Sequence, residues 1–351
     1  MRLTTCSRIP RAVCLLALIA LPALAPAQGF ERVPATPMFH DGLALDARSC
    51  ALGGVVVAAP DGPADIWWNP AALMTGRAVQ VQYAPLSSLD DFALRTVAVA
   101  GEWRHLRLAV AHTGWDTDPI PVTTGYLPED NGQSLDVGGD TWTINAGADL
   151  APWLLRGRDD FNLALGVSAR RLSSFLDGLD GDSTDLAAWD MDAGLLAARL
   201  WRGPHAWVRL RAAVVARNAL GTDVDDGGYL NELPRRLRFG LAAEAGSAPM
   251  PGQRAPFRVL LGYGREESLN EDYMSAVNWL GLEATLFELL ALRGSATGSS
   301  SRSYGLGLLL ARPGALPCGL RLDYAHERWE FWMGMDGWHD QWSMTLHWDR
   351  L

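Results

Sequence analysis

Beyond its N-terminal leader this chain has no apolar run of the roughly 18 or more residues that a helical membrane span needs. Charge is scarce too, at 20% of 351 residues, yet hydrophobic residues make up 48%. An apolar chain without long apolar runs has spread its hydrophobicity thinly, as alternating strands do. Cysteine is rare: of the four, Cys6 and Cys14 lie in the leader, leaving Cys50 and Cys318 far apart in sequence. They can pair in an oxidising compartment or stay as two packed thiols. No Cys/His spacing suggests a zinc site, the seven His are scattered, and no Gly-x-Ser-x-Gly elbow is present. A nucleophile and its base must lie within reach of each other, so no enzyme, metal centre or cofactor is expected.

What the sequence does hold is a leader, much glycine and much tryptophan. Arg2, Arg8 and Arg11 precede an apolar stretch from Ala12 to Leu21, and Ala25-Pro26-Ala27 offers small residues for cleavage, so residues 1–27 read as a signal peptide. Its removal takes away three Arg and no acid, moving the formal charge from −10 to −13 and disfavouring nucleic acid as a partner. The 36 Gly argue against a helical core, since each costs a helix about 1 kcal/mol relative to Ala. The 15 Trp suit a boundary between apolar and wet media.

From Ala78 onward, segments of about ten residues alternate and then turn. Trp142, Ile144, Ala146 and Ala148 share one face, with Thr141, Thr143, Asn145 and Gly147 on the other. Leu163, Leu165 and Val167 likewise alternate with Ala164, Gly166 and Ser168, and Leu237, Phe239 and Leu241 with Arg236, Arg238 and Gly240. Alternation alone does not separate a soluble sandwich from a membrane barrel. The connections add a second signal. About fourteen strands leave long, acidic connections at 114–139, 172–185, 219–234, 266–276 and 327–340, alternating with tight turns such as Arg104 and Glu288. Outer-membrane barrels sort their loops this way, with the tight turns in the periplasm. The expected fold is all-β: a monomeric transmembrane antiparallel β-barrel over 78–351 in the bacterial outer membrane, with lipid around it. Residues 28–77 do not alternate; they are small and turn-rich, and their aromatic and aliphatic content suits a hatch inside the lumen.

That segment also carries a resemblance. Ala47-Arg48-Ser49-Cys50-Ala51-Leu52-Gly53-Gly54, then Asp65 to Trp68 and Asn69-Pro70-Ala71-Ala72-Leu73, resembles the N-terminal hatch of the FadL superfamily, in its PorV/PorQ-like branch. Asp190 to Leu195, Arg217-Asn218-Ala219-Leu220-Gly221, Leu233 to Gly240, Tyr304 to Gly307 and Leu322 to Ala325 resemble later strands of that branch. The terminal Leu351 departs from the aromatic ending common in such barrels. The resemblance implies fourteen strands and two roles: protein secretion or surface attachment through partner proteins, as in the branch, or passage of long-chain fatty acids and other hydrophobic compounds, as in the wider superfamily. A structural barrel without cargo is a third reading, because fold does not fix function.

Candidate site residues follow. Asn69, Pro70 and Ala71 form the hatch motif, a sharp turn because Pro fixes φ and lacks an N–H. Trp67 and Trp68 are placed on a path for an apolar ligand. Arg170, Asp190, Asp192, Arg209, Arg211, Arg236, Arg238, Glu244, Glu283, Arg293, Arg321 and Asp323 fall on the polar side of their strands. They are read as a lumen ladder of ion pairs or, for some Arg, as contacts to a carboxylate head group. Trp329, Phe331, Trp332 and Trp338 crowd the last long connection, as an aromatic belt or a docking loop. The acidic groups Asp177, Asp180, Asp182 and Asp185, Asp223 to Asp226, and Glu266, Glu267, Glu271 and Asp272 make either a solvated surface or Ca²⁺ loops, though without full EF-hand spacing.

Overall fold

Alternating strands whose apolar faces all point one way abolish their edges by closing on themselves. In a computed structural model of the protein they do so. The structure describes residues 44–75, 78–88, 92–103, 106–123, 130–154, 160–179, 182–225, 230–248, 255–269, 276–297, 301–310, 318–330 and 336–348. The expected signal peptide, hatch residues 28–43, Phe331, Trp332, Asp180, Asp226, Glu271, Asp272 and Leu351 lie outside them.

Fourteen strands pair antiparallel, each with its sequence neighbour, into a closed barrel. They are β1 (Val79–Ser88), β2 (Phe92–Trp103), β3 (Leu106–Thr117), β5 (Asp130–Asp149), β6 (Phe161–Leu179), β7 (Asp182–Arg202), β8 (Ala206–Arg217), β11 (Arg236–Ser247), β12 (Phe257–Ser268), β13 (Val277–Leu286), β14 (Leu290–Thr297), β15 (Ser301–Leu310), β16 (Cys318–Glu330) and β17 (Asp336–Trp348). The short β4 (Ile120–Thr123) pairs with β5, and β9 (Asp223–Asp225) with β10 (Leu230–Glu232). Closure comes from β1 on β17, with Val79 opposite Trp348 and Tyr83 opposite Met344.

The outward face is apolar around the whole circumference. Val97, Val110, Ile144, Leu165, Leu241, Leu261, Leu282 and Leu306 are all exposed there. Trp142, Trp189, Tyr304 and Trp342 ring one margin, and Trp103, Trp153, Phe257 and Phe287 the other. In water such a surface would be an aggregation site; in a bilayer it is the lipid-facing band with its two aromatic girdles. No described helix is long and apolar enough to cross a membrane, and the strands do the crossing. The protein is an outer-membrane barrel. Outer-membrane barrels carry their tight turns at the periplasmic end, and by that convention the tight-turn end of this barrel is the periplasmic one.

Several expected long connections are strand instead. β6 runs to Leu179 and β7 resumes at Asp182, so all but two residues of 172–185 belong to strands. Likewise β5 starts at Asp130, β16 runs to Glu330, and β17 starts at Asp336. Trp329 pairs with Gly337 and Trp338 with Arg328, so both ends of the expected docking loop belong to the β16–β17 ladder. The acidic groups follow suit: Asp177, Asp182, Asp185, Glu266 and Glu267 all sit in strands. The physical reason is that backbone pairing needs no bilayer. A span takes about 9–11 tilted residues, and the 20, 19 and 21 residues of β5, β6 and β7 continue the ladder outside it.

The lumen holds the segment 44–75. Asp46 caps α1 (Ala47–Leu52) by accepting from the Arg48 and Ser49 amides at 2.9 and 3.0 Å. Gly53, at φ 60°, ends it. Three 3₁₀ turns follow at Gly53–Val57, Pro63–Trp67 and Pro70–Thr75. Such short helices have little stability alone; wall contacts hold them.

Candidate functional site

The wall accommodates the hatch by omitting side chains. A Cβ added at Gly166 would overlap the Pro70 backbone, and one at Gly194 the Asn69 amide. Cβ atoms at Gly240, Gly264 and Gly281 would stand 2.9 Å from Ala58, 2.6 Å from the Gly54 carbonyl and 2.7 Å from the Leu52 carbonyl. Glycine is needed at these places for close approach of two backbones.

Asn69 is fully buried and organises the turn. Its Nδ2 donates to the Val57 carbonyl at 2.8 Å, and its Oδ1 accepts from the Ala71 amide at 2.9 Å. Pro70 opens the final 3₁₀ turn, where a missing N–H costs nothing. Its carbonyl accepts from Asn145 Nδ2 of β5 at 3.2 Å, and the same amide donates to Ser168 Oγ of β6 at 2.7 Å.

Trp67 and Trp68 are 4% exposed. The Trp67 ring contacts two guanidiniums, Arg170 at 5.2 Å and Arg217 at 4.2 Å. Trp68 faces Arg238 at 4.7 Å and meets Trp279 edge-on at 5.8 Å. A desolvated cation–π contact is worth about 2 kcal/mol. Arg238 also donates to the Trp67 carbonyl at 3.1 Å. The structure therefore surrounds these two rings with arginine as well as apolar side chains.

The ladder residues all point inward, in two clusters. In the outer one, Arg170 pairs with Asp192 at 2.8 Å and bonds Asn218, while Arg236 and Arg238 share Glu266. Asp190 plays another part: its Oδ1 accepts from the Leu220 amide at 3.1 Å and ties down the connection after β8. In the inner cluster Glu283 meets Arg293 at 2.6 Å, Arg258 at 3.1 Å and Arg48 at 3.2 Å. Glu244 meets Arg211 at 2.7 Å and Arg209 and Arg258 at 3.3 Å. Asp323 joins Arg293 and Arg321, each at 2.7 Å, and Arg321 reaches Asp61 of the hatch at 2.8 Å. Buried ions persist only when paired in this way.

Sequence reasoning missed five members: Arg48, Asp61, Arg217, Arg258 and Glu266, the last read as part of an acidic connection. Arg258 follows outward-facing Phe257, so strand parity could have found it. The hatch pair had no periodic signal.

Beneath the hatch, at the periplasmic end, lies a cavity of about 680 Å³. Arg48, Arg209, Arg211 and Arg258 line it together with Asp61, Asp149, Asp160, Glu244 and Glu283, and Met74, Leu200 and Leu260 supply apolar surface.

Both cysteines are free thiols. Cys318 opens β16 at the periplasmic end, whereas Cys50 in α1 contacts Glu327, nine residues further along that strand, roughly 30 Å away. Burial, and then the neighbouring Glu327, push the Cys50 thiol well above its ordinary pKa.

No protein-family model and no curated protein matches the chain. Among solved structures it is similar to the Ralstonia pickettii toluene transporter TbuX, at 12% identity and TM-score 0.47, over 86% of this chain and 96% of that one. It is also similar to the Pseudomonas putida toluene transporter TodX (10%, TM-score 0.49, 87% and 97%) and to the β domain of the Bordetella autotransporter BrkA (10%, TM-score 0.32, 78% and 98%). Transporters and an autotransporter domain stand together here, and at these values none distinguishes one barrel's task from another's.

Proposed function

We propose that the protein is a hatch-gated passage for a small hydrophobic or amphiphilic molecule, working in the manner of the FadL superfamily. One observation carries this: the lumen is closed by a non-covalent plug above a periplasm-facing cavity of about 680 Å³ lined by paired guanidinium and carboxylate groups together with apolar surface. Guanidinium matches a carboxylate bidentately, so an acid head group would exchange with Glu244 or Glu283 at these arginines, and Met74, Leu200 and Leu260 suit an apolar body. Trp67 and Trp68 act in this reading as the latch beside the path, since ion–ring contacts can be remade after the hatch shifts. A second reading, docking of a secretion partner, has one observation in its favour: β5–β7 rise well beyond the membrane as an outer wall.

A reversible lock tests the gate. A Cβ at Gly262 stands 3.3 Å from Val55 Cβ, close to the roughly 3.5–4.5 Å of a disulfide. Val55→Cys with Gly262→Cys in proteoliposomes should block oleate or toluene uptake when oxidised and restore it on reduction. Equal uptake in both states, with the cross-link verified, would remove the moving hatch. No uptake in either state or by the parent barrel, together with a secretion component retained through purification, would favour docking.

A further inference from the structure

One cluster of metal-binding atoms stands apart from the ladder. Cys50 Sγ lies 3.1 Å from Glu327 Oε2 and 3.8 Å from His339 Nε2, and that nitrogen is 3.4 Å from the same carboxylate oxygen. All three ligand atoms fall within 4.8 Å of one another. Zn²⁺ bound tetrahedrally at about 2.3 Å to sulfur and about 2.0–2.2 Å to nitrogen and oxygen holds such ligands roughly 3.4–3.6 Å apart. The observed edges bracket that range, so shifts of a few tenths of an ångström close the site.

The arrangement is that of ligands around a point. In a Cys–His–acid relay the carboxylate orients the imidazole through the nitrogen that the thiol does not use. Here thiol and carboxylate both approach Nε2. The scaffold is firm: Glu327 and His339 are direct cross-strand partners on β16 and β17, and Cys50 comes from the capped helix α1. His339 and Cys50 are buried, while Glu327 is 17% exposed and leaves room for solvent.

We propose that Cys50, Glu327 and His339 bind one thiophilic divalent ion, Zn²⁺ by ligand chemistry, with water in the fourth position, and that this ion staples the hatch to β16–β17. A thiolate with an imidazole selects zinc over Ca²⁺ or Mg²⁺, which take oxygen ligands. On loading, the thiol passes its proton to water, a Sγ–Zn bond forms, and Nε2 and the Glu327 carboxylate displace bound waters. No electron is transferred. Because one ligand is on the hatch and two are on the wall, the ion favours the docked state. At free Zn²⁺ a hundredfold above its dissociation constant, the docked-to-released ratio rises about a hundredfold.

Co²⁺ titration of the folded full-length barrel in detergent is the test. One equivalent should bind, with a thiolate-to-cobalt charge-transfer band and tetrahedral d–d bands, and Zn²⁺ should bleach both. Cys50→Ser should abolish the charge-transfer band, Cys318→Ser should keep it, and Glu327→Gln should weaken binding roughly tenfold or more. Heat-modifiable mobility identifies folded variants; should Cys50→Ser fail to fold, the near-isosteric Glu327→Gln decides. Sub-stoichiometric binding by the folded wild type, a thiolate band surviving Cys50→Ser, or unchanged affinity in Glu327→Gln would overturn the proposal. None of these readouts involves uptake, so the staple and the gate stand or fall separately.

Discussion

Two arcs of the lumen wall treat the hatch differently. From β17 through β1, β2 and β3 to β5, the mid-height residues are polar but uncharged: Gln341, Ser343, Gln80, Gln82, Thr96, Thr113, Thr143 and Asn145. Against this arc the hatch lays Ala64, Ile66 and Leu73 on Ala98, Ala100, Ala109 and Ala111. From β6 to β16 the wall carries Arg170, Asp192, Arg238, Glu244, Glu283, Arg293, Arg321 and Asp323, and there the hatch offers Arg48, Asp61 and its two tryptophans. Apolar contact is non-directional and tolerates sliding. A buried ion pair is unforgiving, because separating it strands a charge. The charged arc therefore holds the hatch by ion pairs, and the neutral arc holds it by apolar contact with a few hydrogen bonds, such as those of Asn145 and Gln82.

The largest test breaks the ion pairs. Glu283→Ala leaves Arg48 without its main partner and takes an acid from Arg258 and Arg293. It should cost about 3–5 kcal/mol, seen as a lower midpoint in heat-modifiable mobility and as easier proteolysis of the hatch. At the seam between the arcs, Gly166→Ala drives a methyl into the Pro70 backbone and should cost about 1–3 kcal/mol. Gly294→Ala is its control, since the nearest atom lies at 3.6 Å and no loss is expected by the same assay. The smallest change is on the apolar contact: Ile66→Val should cost about 0.5–1.5 kcal/mol with hatch protection retained. Equal effects of Glu283→Ala and Ile66→Val would erase the distinction between the arcs.

The sequence made some of this legible and hid the rest for physical reasons. Parity along a strand is a local property, so Thr143 and Arg170 could be assigned to the lumen and Ile144 and Val167 to lipid from spacing alone. The upper halves of β6 and β7 were hidden because Ser173, Ser174 and Asp177 continue a strand outside the bilayer, where no apolar face marks it. Arg48 was invisible as an ion-pair partner because Glu283 lies 235 residues away. The metal triad needs α1 to meet β16 and β17 across 277 and 289 residues, a meeting that no local spacing encodes.

The glycines that seat the hatch are also partners of one another. Gly147 lies opposite Gly166, and Gly166 opposite Gly194; on the far side Gly240 faces Gly264 and Gly262 faces Gly281. Along these rows the wall is a single backbone thick, with no side chain to brace it from within. The hatch supplies that inner layer, so wall and plug are complementary halves of one laminate. Stripped of it, the barrel would be less an open pore than a cylinder with an unbraced waist.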